Sequence, residues 1–310
     1  MKQKMIKRKL LSFLLTLAMV MGLVPWMSLT AYAETLGEDT LYVAGVDITE
    51  DTDGVIDSNV PGVTGTATLT YEEGIPVLTL SNFNYSGTGE TTSGKLYNGK
   101  EYAGICYLGT ATLVIRLSGT NEIGISNNNI DGANSAYGIY SEKSDGKIVI
   151  ESEDNGSLSV TSEDAYRYAD NRTPMVVIGT LEMKSGTIIT NSNTVDPYDG
   201  GIARGIDIGT LNFYGGTIKS TGSSARTRIT DGIAFYIQSL NVQEGINPVV
   251  KVDNGEMESV NAETLETISG RTFDAINSNT YHYASISAAD YREPVSFIYR
   301  PGAGGTVTGR

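Results

Sequence analysis

Along much of the chain, apolar residues return at every second position rather than every third or fourth. Leu113 and Ile115, Ile148 and Ile150, Leu181 and Met183, Leu211 and Phe213, and Leu240 and Val242 each bracket a single residue. In the later copies that residue is polar: Glu182, Asn212 or Asn241. A period of two belongs to strands, whose successive side chains point to opposite faces, so these segments predict short strands with one dry face and one wet face. Gly, Ser, Asn and Asp stand between them and supply the corners, glycine because it adopts left-handed backbone that bulky residues avoid.

The strands recur as copies. Ile178-Gly179-Thr180-Leu181-Glu182-Met183 returns 30 residues later as Ile208-Gly209-Thr210-Leu211-Asn212-Phe213, and in degraded form as Ile237-Gln238-Ser239-Leu240-Asn241-Val242. The first two are followed by matching second strands, Ser185-Gly186-Thr187-Ile188-Ile189 and Gly215-Gly216-Thr217-Ile218-Lys219. A further element precedes them at Gly104-Ile105, Gly138-Ile139, Gly205-Ile206 and Gly232-Ile233. One copy cannot bury its inward face alone. Stacking copies at a strand spacing of about 4.8 Å turns each inward position into an aliphatic ladder, which predicts an all-β, right-handed parallel β-helix. A β-sandwich also has short strands and frequent turns, but repetition of the same strand–corner–strand order favours the solenoid.

The ends depart from the repeat. Thr66–Tyr71 and Val77–Leu80 flank Glu72-Glu73-Gly74-Ile75-Pro76 and predict an antiparallel hairpin. Residues 34–85 are therefore expected to be N-terminal cap strands that merge into a β-helix over 86–290. Ala262 to Ile268 carries helix formers after Asn261 and predicts a short covering helix. Residues 291–310 read as a strand followed by a Gly-rich linker.

Residues 1–33 have a different character. Lys2, Lys4, Lys7, Arg8 and Lys9 precede an uncharged apolar run from Leu10 to about Val24, and Ala31-Tyr32-Ala33 offers small residues where a signal peptidase reads. This order predicts a secretory signal, an extracellular or cell-surface location, and no membrane span after cleavage. Cleavage would remove five of the 22 Lys and Arg and none of the 36 Asp and Glu, so the net charge moves from −14 to −19. Such a chain repels phosphate backbones, which argues against nucleic-acid partners, and it suits divalent cations. Cys106 is the only cysteine, so no intrachain disulfide supports the fold.

Leu41-Tyr42-Val43-Ala44-Gly45-Val46, the hairpin ending in Leu78-Thr79-Leu80, Tyr137-Gly138-Ile139-Tyr140 and Ile208-Gly209-Thr210-Leu211 resemble secreted clostridial-type β-helix proteins described as carbohydrate-binding domain proteins. Their fold is similar to that of pectate lyases. The resemblance spans roughly 41–290 and rests on fold motifs. It implies binding of a polysaccharide or cell-wall glycan, with calcium assistance, at a cell surface or in a matrix. The segment Val295–Thr306 also resembles the lead into small β-rich repeats of bacterial surface proteins.

Candidate chemistry comes in three groups. Asp51, Asp53 and Asp57, then Glu151, Glu153 and Asp154, then Asp196, Asp199 and Asp207 are acidic clusters. Ca2+ requires six to eight hard oxygens, and the last cluster, in a Pro-Gly corner and on the following strand, is the preferred metal candidate. Tyrosine is plentiful, and Tyr198, Tyr214 and Tyr236 are the candidates for stacking on sugars, with Tyr166 and Tyr168 beside them. Arg204 lies between Asp199 and Asp207, with Arg226 and Arg228 a coil later, as the base of a calcium-dependent lyase would. Aligning the Gly-Ile elements instead sets it over Asp231, an ordinary cross-strand ion pair.

His282, the only histidine, sits between Tyr281 and Tyr283 without a second His or an evident nucleophile, and Cys106 reads as a buried small hydrophobe. Paired glycosidase carboxylates on different coils leave no trace in a linear sequence. The expected function is a non-catalytic carbohydrate-binding or adhesive module. The alternatives are a calcium-dependent polysaccharide lyase or related glycan-degrading enzyme, and a structural stalk.

Overall fold

A computed structural model describes residues 40–49, 53–91, 100–126, 133–164, 173–194, 203–222, 233–246, 248–253, 263–265 and 281–288. The N-terminal strands are β1 (Leu41–Val43), β2 (Val46–Asp47), β3 (Val55–Ile56), β4 (Val63–Glu72), β5 (Ile75–Gly87) and β6 (Glu90–Thr91). The coils follow as β7 (Lys100–Tyr107), β8 (Thr112–Ser118) and β9 (Thr120–Ser126); β10 (Ala133–Ser141), β11 (Lys147–Ser152) and β12 (Ser157–Asp164); β13 (Met175–Met183) and β14 (Thr187–Thr194); β15 (Ile206–Phe213) and β16 (Thr217–Thr221). The chain continues with β17 (Phe235–Val242), β18 (Pro248–Asp253), β19 (Glu263–Leu265) and β20 (Tyr283–Ala288).

These strands form a parallel β-helix with three faces. Face A stacks β7, β10 and the first halves of β13, β15 and β17. Face B stacks β5, β8, β11 and the second halves of the same three long strands. Face C stacks β5, β9, β12, β14 and β16. The predicted ladder is present. Ile148, Leu181, Leu211 and Leu240 are in direct register, and the first three are fully buried. A second column runs Leu78, Ile115, Ile150, Met183 and Phe213, all fully buried. Removing such a side chain from water contributes about 1.5–3 kcal/mol, so each rung stabilises both neighbours.

The hairpin is β4–β5, closed at Glu73 and Gly74, both of positive φ. Its second strand doubles as the first rung of faces B and C, bending at Asn82. Face A begins differently, on β1, which pairs antiparallel with β7. At the far end β20 lies antiparallel between β16 and β18. Because β18 is antiparallel to β20, it runs in the direction of a face-C strand, displaced by one strand width.

Two expectations are corrected. Within the predicted helix Ala262–Ile268, residues 263–265 form β19 and pair antiparallel with β18. A seven-residue helix pays the full nucleation cost, whereas an available strand edge satisfies the backbone at once. Ile206 registers with Phe235 rather than with Ile233, so Arg204 does not align with position 231 as the Gly-Ile match implied. A two-residue slip keeps the same face, and Ile233 is itself buried, which is why the sequence pattern permits either register. The segments 1–33 and 291–310, with the expected signal and linker, lie outside the described residues. Among the described residues no helix is long and apolar enough to cross a membrane.

Candidate functional site

The outer side of face A carries the column Tyr42, Cys106, Tyr140, Val176, Asp207 and Tyr236, one residue per rung. Its first part is apolar and covered. Ala103, Cys106, Tyr137, Tyr140 and Val176 form a buried cluster in which the two tyrosine rings stack at 5.0 Å. Cys106 is accordingly buried, as its apolar setting in the sequence suggests. Its last part is ionic. Arg204 Nη1 lies 2.6 Å from Asp207 Oδ2, and the guanidinium carbon sits 3.5 Å over the Tyr236 ring.

The structure therefore brings Asp207 and Tyr236 together, with Arg204 as the link. This arrangement restricts what each can do. The arginine charge is answered by a carboxylate and its flat side by a ring, so it is not presented as a free base. One face of Tyr236 is already occupied. Asp207 accepts a hydrogen bond from the guanidinium, with which a calcium ion would have to compete. Asp196, Tyr198 and Asp199, between β14 and β15, lie outside the described residues, as do Tyr166, Tyr168, Arg226, Arg228 and Asp231. Among the described residues no group of three His, Cys, Asp or Glu is placed to hold a metal ion.

The other acidic clusters serve the backbone and the charge ladder of face B. Arg116 binds Glu72 through two hydrogen bonds (2.6 and 2.9 Å) and reaches Glu151 at 2.9 Å, joining the hairpin tip to two coils. The Arg116 hydrogen bonds hold the Glu72 carboxyl below its usual range, and those carboxylates keep Arg116 firmly protonated. Asp154 accepts from Ser118 Oγ and Gly119 N in the preceding coil, and from Ser152 Oγ and Gly156 N in its own. These bonds, led by the two serine hydroxyls, lower its carboxyl from the ordinary value. Asp57 caps Asn59, and Asp51 lies outside the described residues.

The corner between faces B and C is built differently. Its turns use Asn155, Gly186 and Gly216, all of positive φ. A Cβ on Gly216 would come within 2.7 Å of the Gly186 carbonyl oxygen, so the corners stack closely only because they are small. Backbone bonds pass from coil to coil, from Thr187 N to Gly156 O and from Thr217 N to Gly186 O, each 3.0 Å. The result is a trough of about 410 Å³ crossing these corners, floored by Gly186 and Gly216 and lined by Asn155, Ser185, Thr187 and Thr217, with Ala288 of β20 at its end.

Ser185 Oγ is engaged with the Ser152 backbone on both sides. The hydroxyls of Thr187 and Thr217 and the Asn155 amide have no hydrogen-bond partner among the described residues. Thr217 is only 5% exposed, and its remaining opening is this trough. Tyr214, named from the sequence, stands two residues before Gly216 and is 37% exposed. Sequence reasoning missed Asn155, Thr187 and Thr217. The available signal was the recurrence of small residue, Gly and Thr at one phase of consecutive copies. His282 pairs through its backbone with Asp253 and Gly222 at the β18–β20 end. No family model matches the chain, nor does any curated protein or solved structure.

Proposed function

We propose that the chain is a secreted or surface-displayed, non-catalytic carbohydrate-binding or adhesive module that contacts a polysaccharide or cell-wall glycan through the outside of its solenoid. The observation that carries this reading is the trough at the corner of faces B and C, whose threonine hydroxyls and amide have no partner among the described residues, with the exposed Tyr214 two residues before Gly216 of its lining. Sugars are recognised by that combination: an aromatic surface for the apolar ring face and convergent hydroxyl or amide groups for the polar edge. The N-terminal charge and hydropathy pattern supports export.

The test is native gel electrophoresis of the mature chain with polysaccharides cast in the gel. Specific retardation is expected, without release of reducing ends or unsaturated products, and Tyr214→Ala weakens it. Undiminished retardation of Tyr214→Ala, absence of any retardation, or product release with calcium would each defeat the reading. In the last case the degrading enzyme takes its place.

A further inference from the structure

The lining of the trough is neutral. None of the side chains that form it is charged, and the cations closest in sequence are occupied: Lys184 Nζ lies 3.9 Å from Glu151, and Lys219 also has a partner. Asp154 is adjacent to Asn155 in the chain and is held ionised by its hydrogen bonds. The whole chain carries −14. An anionic polymer approaching this corner meets repulsion, and Lys184 and Lys219 are already engaged. The lining also has a direction. Thr187 and Thr217 are in cross-strand register, Asn155 belongs to the coil before them, and Ser287 of the terminal strand registers with Thr217. The groups therefore repeat along the solenoid axis at a step of about 4.8 Å, the spacing of adjacent strands. This step is comparable to the length of one sugar residue in a linear chain.

We propose that the trough binds a neutral, linear polysaccharide laid along the solenoid axis, roughly one sugar per coil, with Thr217 and Asn155 bonding its hydroxyls. This rests on the carbohydrate-binding reading and narrows it to a substrate class and an orientation. Thr217 is only 5% exposed and lines the trough, so its hydroxyl, which has no partner among the described residues, is open to a ligand hydroxyl there.

Two variants test it. Thr217→Val keeps the shape and removes the hydroxyl; Asn155→Gly removes the amide while tolerating the positive φ. The control is Ile75→Ser, on the hairpin far from the corner. Retardation is measured in gels containing xylan, hydroxyethyl cellulose or polygalacturonate, with circular dichroism to confirm folding, and xylo-oligosaccharides of increasing length are titrated by calorimetry. The neutral polymers are expected to retard the protein and polygalacturonate is not. Each variant weakens binding about five- to tenfold, as for loss of one ligand hydrogen bond, and the control does not. Affinity rises with oligosaccharide length until the rungs of the trough are filled.

Retardation by polygalacturonate, sensitive to Thr217→Val, would overturn the neutral class and leave glycan binding standing. Neutral binding insensitive to both variants would overturn the trough as its location. Affinity independent of length would overturn the axial lay. No retardation by any polymer would remove the broader reading as well.

Discussion

On the inner side of face B, Leu113, Ile148, Leu181 and Leu211 stand in one column and are wholly buried. On the inner side of face C, the column Ile123, Val160, Thr190 and Ser220 turns polar halfway along the tube, before reaching Ala284. Both columns are equally dry, but they are held by different means. The leucine column is stabilised by area removed from water, which has no direction and tolerates a slip that keeps the same face inward. The hydroxyl column needs aligned partners: Thr190 Oγ1 donates to Ser220 Oγ at 2.7 Å, which donates to the Ala234 carbonyl at 2.8 Å. That chain ties face C to the last rung of face A and opposes any slip between them. The apolar column supplies bulk stability, and the polar one supplies registration.

The largest effect expected is therefore on face B. Leu181→Ala opens a cavity between Ile148 and Leu211 in the middle of the stack and should cost about 2–5 kcal/mol, read as a fall in the urea midpoint. A loss below about 1 kcal/mol would mean that neighbouring rungs collapse into the space, and that the column is not close-packed. Ser220→Ala tests the other column. It leaves the buried Thr190 hydroxyl without its acceptor and the Ala234 carbonyl without that donor, at a cost of about 1–3 kcal/mol. Thr190→Val added to Ser220→Ala should recover part of the loss, because the stranded donor is gone. If the double variant is simply the sum of two losses, the hydroxyl chain is not a coupled unit.

The same contrast explains what was legible in the sequence. Face B announces itself because Leu181, Met183, Leu211 and Phe213 alternate with polar residues, and the hairpin shows through its turn at Glu73-Gly74. On β14 and β16 of face C the inward residues Thr190, Ser192 and Ser220 are polar, so alternation there reports the wrong sign and Ile188 and Ile218 alone of these two strands reveal the face. Register between rungs was legible only to within the two-residue period, hence the displaced partner of Arg204. β19 was misread because its pairing with β18 is a tertiary fact. The site divides likewise. Tyr214 is visible as an aromatic beside a Gly-Gly corner, but Thr217 becomes significant only when the stacked corners place it in the lining of a trough.

The smallest effect belongs to the corner where faces B and C meet, and it appears in the pH dependence. Asp154 bonds two coils together, and its four hydrogen bonds favour the ionised form, lowering its folded-state carboxyl below the unfolded value. A carboxyl depressed on folding contributes stability that is fully present above the unfolded pKa and is lost as pH falls through the folded one. Asp154→Ala should thus be less stable than the natural chain at neutral pH, and the two should converge as pH is lowered through the acid range. The group is exposed, so the difference should be modest and should shrink in salt. Parallel pH curves for the two chains would show that Asp154 contributes to the corner only by shape.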